Sequence, residues 1–138
     1  MLPEKLRLEI ATPDHLVLTE GVDEVILPSV EGYMGVRPGH APLLAALDVG
    51  EISYRIGSEE KYLACSGGFA EVLADSVSIL AETAEPAEEI DLERAQRSLE
   101  RAERRMKEAK EADAGFARAE SSLKRAMSRI RVHGHRRI

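Results

Sequence analysis

The end of the chain carries the least balanced chemistry in the sequence. Lys124, Arg125, Arg129 and Arg131 follow Glu120, after which no acidic residue occurs. Cations of one sign along one helix end can hold an acidic protein surface, a nucleotide phosphate or nucleic acid. A second basic series, Arg94, Arg97, Arg101, Arg104 and Arg105, is different because Glu100, Glu103 and Glu108 are interleaved with it. It reads as a solvated face, with Glu100–Arg104 and Glu103–Lys107 as i,i+4 pairs worth roughly a few tenths of a kcal/mol each. Ahead of it, Asp91 is suited to cap a helix and Glu93 to sit at the positive end of its dipole.

The remaining reactive residue types have ordinary readings. No glycine is followed by lysine, so no Walker A phosphate loop exists. There is neither a Gly-x-Ser-x-Gly elbow nor a Cys-x-x-Cys pair, and no acid/base or nucleophile constellation indicates an enzyme. Cys65, the single cysteine, lies in a strand pattern and reads as a small core residue. It permits no internal disulfide, which fits a reducing compartment. His133 and His135 flank Gly134 in a basic tail expected to fray, and His15 reads as a surface residue. His40 sits in a Pro-Gly-His-Ala-Pro corner, where it either pins the turn by a hydrogen bond or contacts a partner. Glu31, before Gly32, is either a solvated turn residue or a contact of the same kind. The alternative for His133 and His135 is a weak adventitious metal site, and no cofactor is required.

These residues must be positioned by two unlike halves. Residues 1–87 carry 15 acids and 5 bases, and residues 88–138 carry 10 acids and 14 bases. Beneath the net charge of −6, the halves are suited to different partners, or to each other. Lys5–Ala11 alternates strictly, with Leu6, Leu8 and Ile10 on one face, which is the period of a half-buried strand. Further short strand patterns follow at Leu16–Leu18, Val25–Leu27, Glu51–Ile56, Lys61–Cys65, Phe69–Leu73 and Val77–Ala81. Turns are expected at Gly57-Ser58, at Ser66-Gly67-Gly68 and at Ala74-Asp75-Ser76. Between the strands, Ser29–Leu47 holds Gly32, Gly35, Gly39, Pro38 and Pro42, and reads as a hub of tight corners feeding Leu43, Leu44 and Leu47 into a core. The spacing of these strands predicts an antiparallel β-sandwich or barrel for residues 1–86.

Glu82–Glu89 reads as a linker. After it the period changes to 3.5: Leu92, Ala95, Leu99, Ala102, Met106 and Ala109, then Phe116, Ala119, Leu123, Ala126 and Ile130. Two narrow seams separated by Asp113-Ala114-Gly115 predict an antiparallel two-helix hairpin over residues 87–138. About half of each seam is alanine, so its apolar burial is small and the hairpin is able to detach. The N-terminus shows no signal-peptide pattern, and the longest charge-free run, Pro38–Leu47, is far short of the roughly 20 residues of a membrane helix. A soluble chain is expected, reaching a membrane only through a partner.

Four motifs in order carry a family resemblance. They are Val30-Glu31-Gly32-Tyr33-Met34-Gly35-Val36, Pro38-Gly39-His40-Ala41-Pro42-Leu43, Ser66-Gly67-Gly68-Phe69-Ala70-Glu71-Val72 and Lys124-Arg125-Ala126-Met127-Ser128-Arg129. The chain resembles the epsilon subunits of bacterial F-type ATP synthases from residue 5 to about residue 132. The resemblance implies a non-catalytic subunit of the rotating central stalk, bound to the gamma subunit and the c-ring. It would lie peripherally at the cytoplasmic face of the plasma membrane. It also implies that Glu31 and His40 face the ring. The hairpin would extend along gamma, and Arg125, Arg129 and Arg131 would then meet acidic segments of the catalytic alpha/beta subunits and inhibit ATP hydrolysis. Some members bind ATP through an Ile/Leu-Asp-x-x-Arg-Ala motif, which Ile90, Asp91, Arg94 and Ala95 match; Glu85, Arg101, Arg125 and Arg129 correspond to the other ligands. The alternative is a free-standing nucleotide-sensing or RNA-binding adaptor using the basic second helix. Against RNA stand the net charge and only five aromatic residues for stacking.

Overall fold

A computed structural model of the chain describes residues 2–109 and 114–135. Seven strands come first: β1 Leu6–Ala11, β2 Leu16–Val22, β3 Glu24–Ser29, β4 Gly32–Val36, β5 Leu43–Ile56, β6 Glu59–Val72 and β7 Ser76–Pro86. They form one continuous sheet in the order β2-β1-β7-β6-β5-β3-β4. The sheet is folded over a single apolar core to which every strand contributes, from Leu6, Leu8 and Ile10 of β1 to Ala84 of β7. All neighbouring pairs are antiparallel except β1 and β7, which run parallel. Of the sandwich and the barrel that the strand spacing allows, the sandwich is present, and the expected antiparallel pairing is broken once, where the first strand runs parallel to the last.

The folding-over has a visible cause. In β5 the buried set is Ala45 and Leu47, then Gly50, Ile52 and Tyr54, so the alternation changes phase midway. In β7 it changes from Val77, Ile79 and Ala81 to Ala84. In β6 the core residues Leu63 and Cys65 give way to Ala70 and Val72. The cross-strand ladders step over Asp48, Gly67 and Glu82 at the same level. These three residues mark a crease across three strands. Gly67 (φ +69°) and Gly68 (φ +120°) sit on it in conformations that favour glycine. The turn expected at Ser66-Gly67-Gly68 is therefore a crease inside one unbroken strand, and the hairpin turns lie at Gly57-Ser58 and at Leu73–Asp75.

Three other expectations change. Leu47 enters the core at 5% exposure, but Leu43 and Leu44 remain 41% and 75% exposed, so the hub sends one leucine inward rather than three. The strand expected from Glu51 begins at Leu43. The expected linker Glu82–Glu89 is mostly strand: β7 runs to Pro86, and only Ala87–Glu89 forms a single 3-10 turn.

The two helices are α1, Leu92–Glu108, and α2, Ala114–His133. Ala114 and Gly115 belong to the first turn of α2, while Asp113 lies outside the described residues. The seams are as the heptads predict, with Ala95, Ala102, Ala119 and Ala126 nearly inaccessible and the larger seam residues half-buried beside them. α2 rests on β5, β6 and the 3-10 turn, and α1 packs on α2. A second small cluster of Ala64, Ala87, Ile90 and Val132, with Tyr62 against it, joins hairpin to sandwich.

Candidate functional site

The hairpin closes on the sandwich through its basic end. Arg129 Nε donates to Glu85 Oε1 of β7 at 2.5 Å, and Arg131 Nε donates to Glu51 Oε1 of β5 at 2.9 Å. Between these, Ser128 Oγ donates to the Gly50 carbonyl at 3.0 Å. The uncompensated positive charge of α2 thus finds acids on the sheet, and the two halves of opposite charge face each other.

Above Glu85 is an open cavity of about 390 Å³ between the sheet end, the start of α1 and α2. Its walls include Glu85, Asp91, Arg94, Ala95, Arg101 and Arg129, six of the eight residues assigned to nucleotide binding by resemblance. Asp91 caps α1, its Oδ1 accepting from the Arg94 N–H at 3.1 Å, which orients the first turn toward the cavity. Arg101 donates to Ser98 Oγ at 3.2 Å. The other two residues lie elsewhere. Ile90 is 6% exposed in the apolar cluster beneath α2. Arg125 donates to Ser122 at 3.0 Å and borders Ser66, Thr83 and Ser128 rather than the cavity.

Two wall residues escaped the sequence reading. Ser98 is four residues beyond Arg94, one helical turn along the same face, so helical spacing contained the signal. Glu89 sits in the 3-10 turn, where no period applies. The cavity sets three carboxylates against three guanidinium groups, with Ala95 as its one apolar wall. Its size falls in the range of small-molecule sites. Acceptors for amine protons and cations for phosphates stand within one enclosure, and no aromatic residue lines it to stack a base. The arginines are not left to repel one another, because Glu85 already holds Arg129.

His40 makes the corner-pinning bond, its Nδ1 lying 2.7 Å from the Ala41 carbonyl, while its backbone N–H donates to the Arg37 carbonyl at 3.1 Å. Glu31 is exposed in the β3–β4 turn, and its N–H donates to Ser29 Oγ at 3.3 Å. His135 does not fray: its ring stacks on Tyr62 at 3.9 Å, with 15° between planes. Cys65 is 2% exposed, and burial, helped by the nearby negative charge of Glu82, pushes its thiol up to about 12.

The outer face below the crease is uncovered. Cross-strand pairing aligns Ala46, Phe69, Leu80, Ala11 and Leu16 in one row over β5, β6, β7, β1 and β2. Phe69, Leu80 and Leu16 are 66%, 56% and 56% exposed, with Leu44 alongside. Such a stripe is the kind of surface that another protein covers.

The sequence matches two family models in succession: the ATP synthase delta/epsilon chain beta-sandwich domain over residues 5–87, and the long alpha-helix domain of the same chain over residues 88–134. It is 49% identical to ATP synthase epsilon chain 2 of Syntrophotalea carbinolica, covering 96% of each chain. It is 50% identical to the ATP synthase epsilon chain of Syntrophobacter fumaroxidans, covering 95% of this chain and 97% of that one. Among solved structures, a chain of the Euglena gracilis mitochondrial ATP synthase OSCP/F1/c-ring assembly superposes with a TM-score of 0.84 at 28% identity, over 98% of this chain and 84% of that one. A chain from the central stalk and c-ring of the Tetrahymena thermophila mitochondrial enzyme shares the fold, with a TM-score of 0.56 at 14% identity over 97% of each.

Proposed function

The chain belongs to the ATP synthase delta/epsilon-chain family, as an epsilon-type subunit that is regulatory and structural rather than catalytic, and from that premise we propose that it couples the gamma subunit to the c-ring and restrains ATP hydrolysis through a mobile hairpin. The apolar stripe on the sandwich, together with the Glu31 turn and the His40 corner, is the surface that these rotor partners cover. Among the described residues no helix is long and apolar enough to cross a membrane. The subunit is held peripherally, at the cytoplasmic face of the bacterial plasma membrane, by the complex.

The observation that carries the regulatory reading is that Arg129 and Arg131 hold the hairpin to acidic residues of its own sandwich. A basic helix can satisfy those cations there or on acidic segments of the alpha/beta subunits, not both at once. Extension and inhibition therefore exchange one set of carboxylates for another. Arg125, unattached to the sheet acids, serves the extended form alone.

ATP acts as a regulatory ligand of the closed form. Arg94, Arg101 and Arg129 would take its phosphates, and Glu85, Glu89 and Asp91 its amine and hydroxyl donors. A ligand at ten times its dissociation constant stabilises the form it binds by about 1.4 kcal/mol, enough to bias a hairpin packed on alanine. Calorimetry with ATP on the wild type, Arg94→Ala and Arg129→Ala tests this: heat in the wild type and about tenfold weaker binding in both variants is the expected result. Absence of heat in the wild type would leave Asp91 as a helix cap. Reconstitution tests the inhibition: alanine at Arg125, Arg129 and Arg131 together weakens inhibition of hydrolysis and its salt dependence. Unchanged inhibition would remove these charges from the mechanism.

A further inference from the structure

The contacts of α2 with β5 lie outside the nucleotide cavity and are more elaborate than packing requires. Tyr33 of β4 lies across Gly50, so closely that a Cβ on Gly50 would be 2.6 Å from its hydroxyl oxygen. That hydroxyl accepts from the Glu51 N–H at 3.1 Å and donates to Glu51 Oε2 at 3.0 Å. Glu51 is thereby clamped by a residue that is not part of the hairpin. Its carboxylate then receives Arg131 at two points, Nε to Oε1 at 2.9 Å and Nη2 to Oε2 at 3.4 Å. Ser128, Arg131 and Val132 fall at i, i+3 and i+4, one face of α2. On the sheet they meet the Gly50 carbonyl, the Glu51 carboxylate and the Ala64–Ile90 cluster in turn.

We infer that Glu51, pre-set by Tyr33, is a latch that holds the hairpin closed independently of nucleotide. The inference rests on the proposed reading that the hairpin leaves the sandwich. The pre-setting matters because a free glutamate loses rotamer freedom on pairing, which erodes most surface ion pairs. Here Tyr33 has already fixed one carboxylate oxygen, and the Glu51 side chain is only 20% exposed. The latch also runs from α2 to the strand that follows the Glu31 turn. A partner seated on that turn and shifting β4 would draw Tyr33 away from Glu51 and loosen Arg131. Release of the hairpin would then be set by the rotor contact as well as by the ligand cavity.

The test uses the full chain carrying Val132→Cys, whose introduced thiol lies under the closed hairpin and reports undocking. The native Cys65 reports opening of the sandwich in the same sample. Labelling is followed without nucleotide by peptide mass. Glu51→Gln and Arg131→Gln should each speed labelling at position 132 by about three- to fivefold, leaving Cys65 unchanged. Combining the two should add nothing further, as a direct pair requires. Tyr33→Phe should give a smaller increase, because the hydroxyl it removes donates to Glu51 Oε2 and not to Arg131 itself. Raising the salt should speed the wild type more than Glu51→Gln, in which the Arg129–Glu85 pair is left to screen. Wild-type labelling in Glu51→Gln, or full additivity of the two substitutions, would overturn the latch. Equal rates at both thiols in every variant would overturn the mobile-hairpin reading, and the latch with it.

Discussion

Gly68 of β6 lies so close to Leu80 of β7 that a Cβ on the glycine would stand 2.2 Å from the Leu80 carbonyl oxygen. The backbone there has φ +120°, a conformation side chains resist. Steric exclusion and backbone strain fall on one residue at the crease. Gly68→Ala should cost about 2 kcal/mol or more in denaturant unfolding. Gly21→Ala, with nothing within 4 Å and no unusual φ, should change stability little. Equal effects would mean the crease does not need its glycine.

Asp23 gives the sandwich an acid-sensitive fastening. Its carboxylate accepts from the Gly57 N–H at 2.7 Å and pairs with Lys5 at 3.0 Å, with Arg55 at 3.7 Å. The Gly57 bond first, then Lys5, lowers its pKa from 3.8. A lowered folded-state pKa contributes stability above the unfolded value, lost as pH falls through the folded one. Asp23→Asn should therefore lower the melting temperature at pH 7, and the gap from wild type should close progressively below about pH 4. A gap that persists at pH 2 would point to shape rather than charge.

Cys65 should be inert while the sandwich is folded. With its thiol pushed up to about 12 and its side chain buried, alkylation at pH 8 should be at least about a hundredfold slower than in denaturant. Rapid labelling of the native chain would show that β6 opens locally.

Residues 1–86 should fold alone, because every member of the main core lies between Leu6 and Ala84. Truncation uncovers only Ala64 and Tyr62 of the second cluster. The fragment should give β-type circular dichroism and cooperative melting of modest stability. A disordered fragment would make the hairpin part of the sandwich's own stability.

Much of this arrangement was legible in the sequence, for definite reasons. Leu6, Leu8 and Ile10 alternate without interruption, and Ala95, Ala102, Ala119 and Ala126 repeat at heptad spacing, so local period alone reports burial. It failed where burial changes phase inside a strand. Gly67-Gly68 has turn composition, and only the neighbouring strands turn it into a crease. Leu44 and Phe69 look like core by composition, yet they point outward onto an uncovered stripe. The cavity's motif residues were found by resemblance, but the pairing of Arg129 with Glu85 and of Arg131 with Glu51 spans 44 and 80 residues of chain. Nothing local announces such pairs beyond the opposite charge of the two halves.

The crease also has a mechanical consequence. β6 carries Phe69 on the bare apolar stripe and Ala64 beneath the hairpin, five residues apart, or about 17 Å of extended chain. No loop intervenes, and both flanking strands are hydrogen-bonded along the way. A load applied at the stripe would therefore reach the helix seat as tilt, with no slack connection between them to absorb it. The ribbon behaves as a short lever. Its compliance would be concentrated where the ladders skip Asp48, Gly67 and Glu82, so the stiffness of that crease would set how much of a load on the stripe reaches the hairpin.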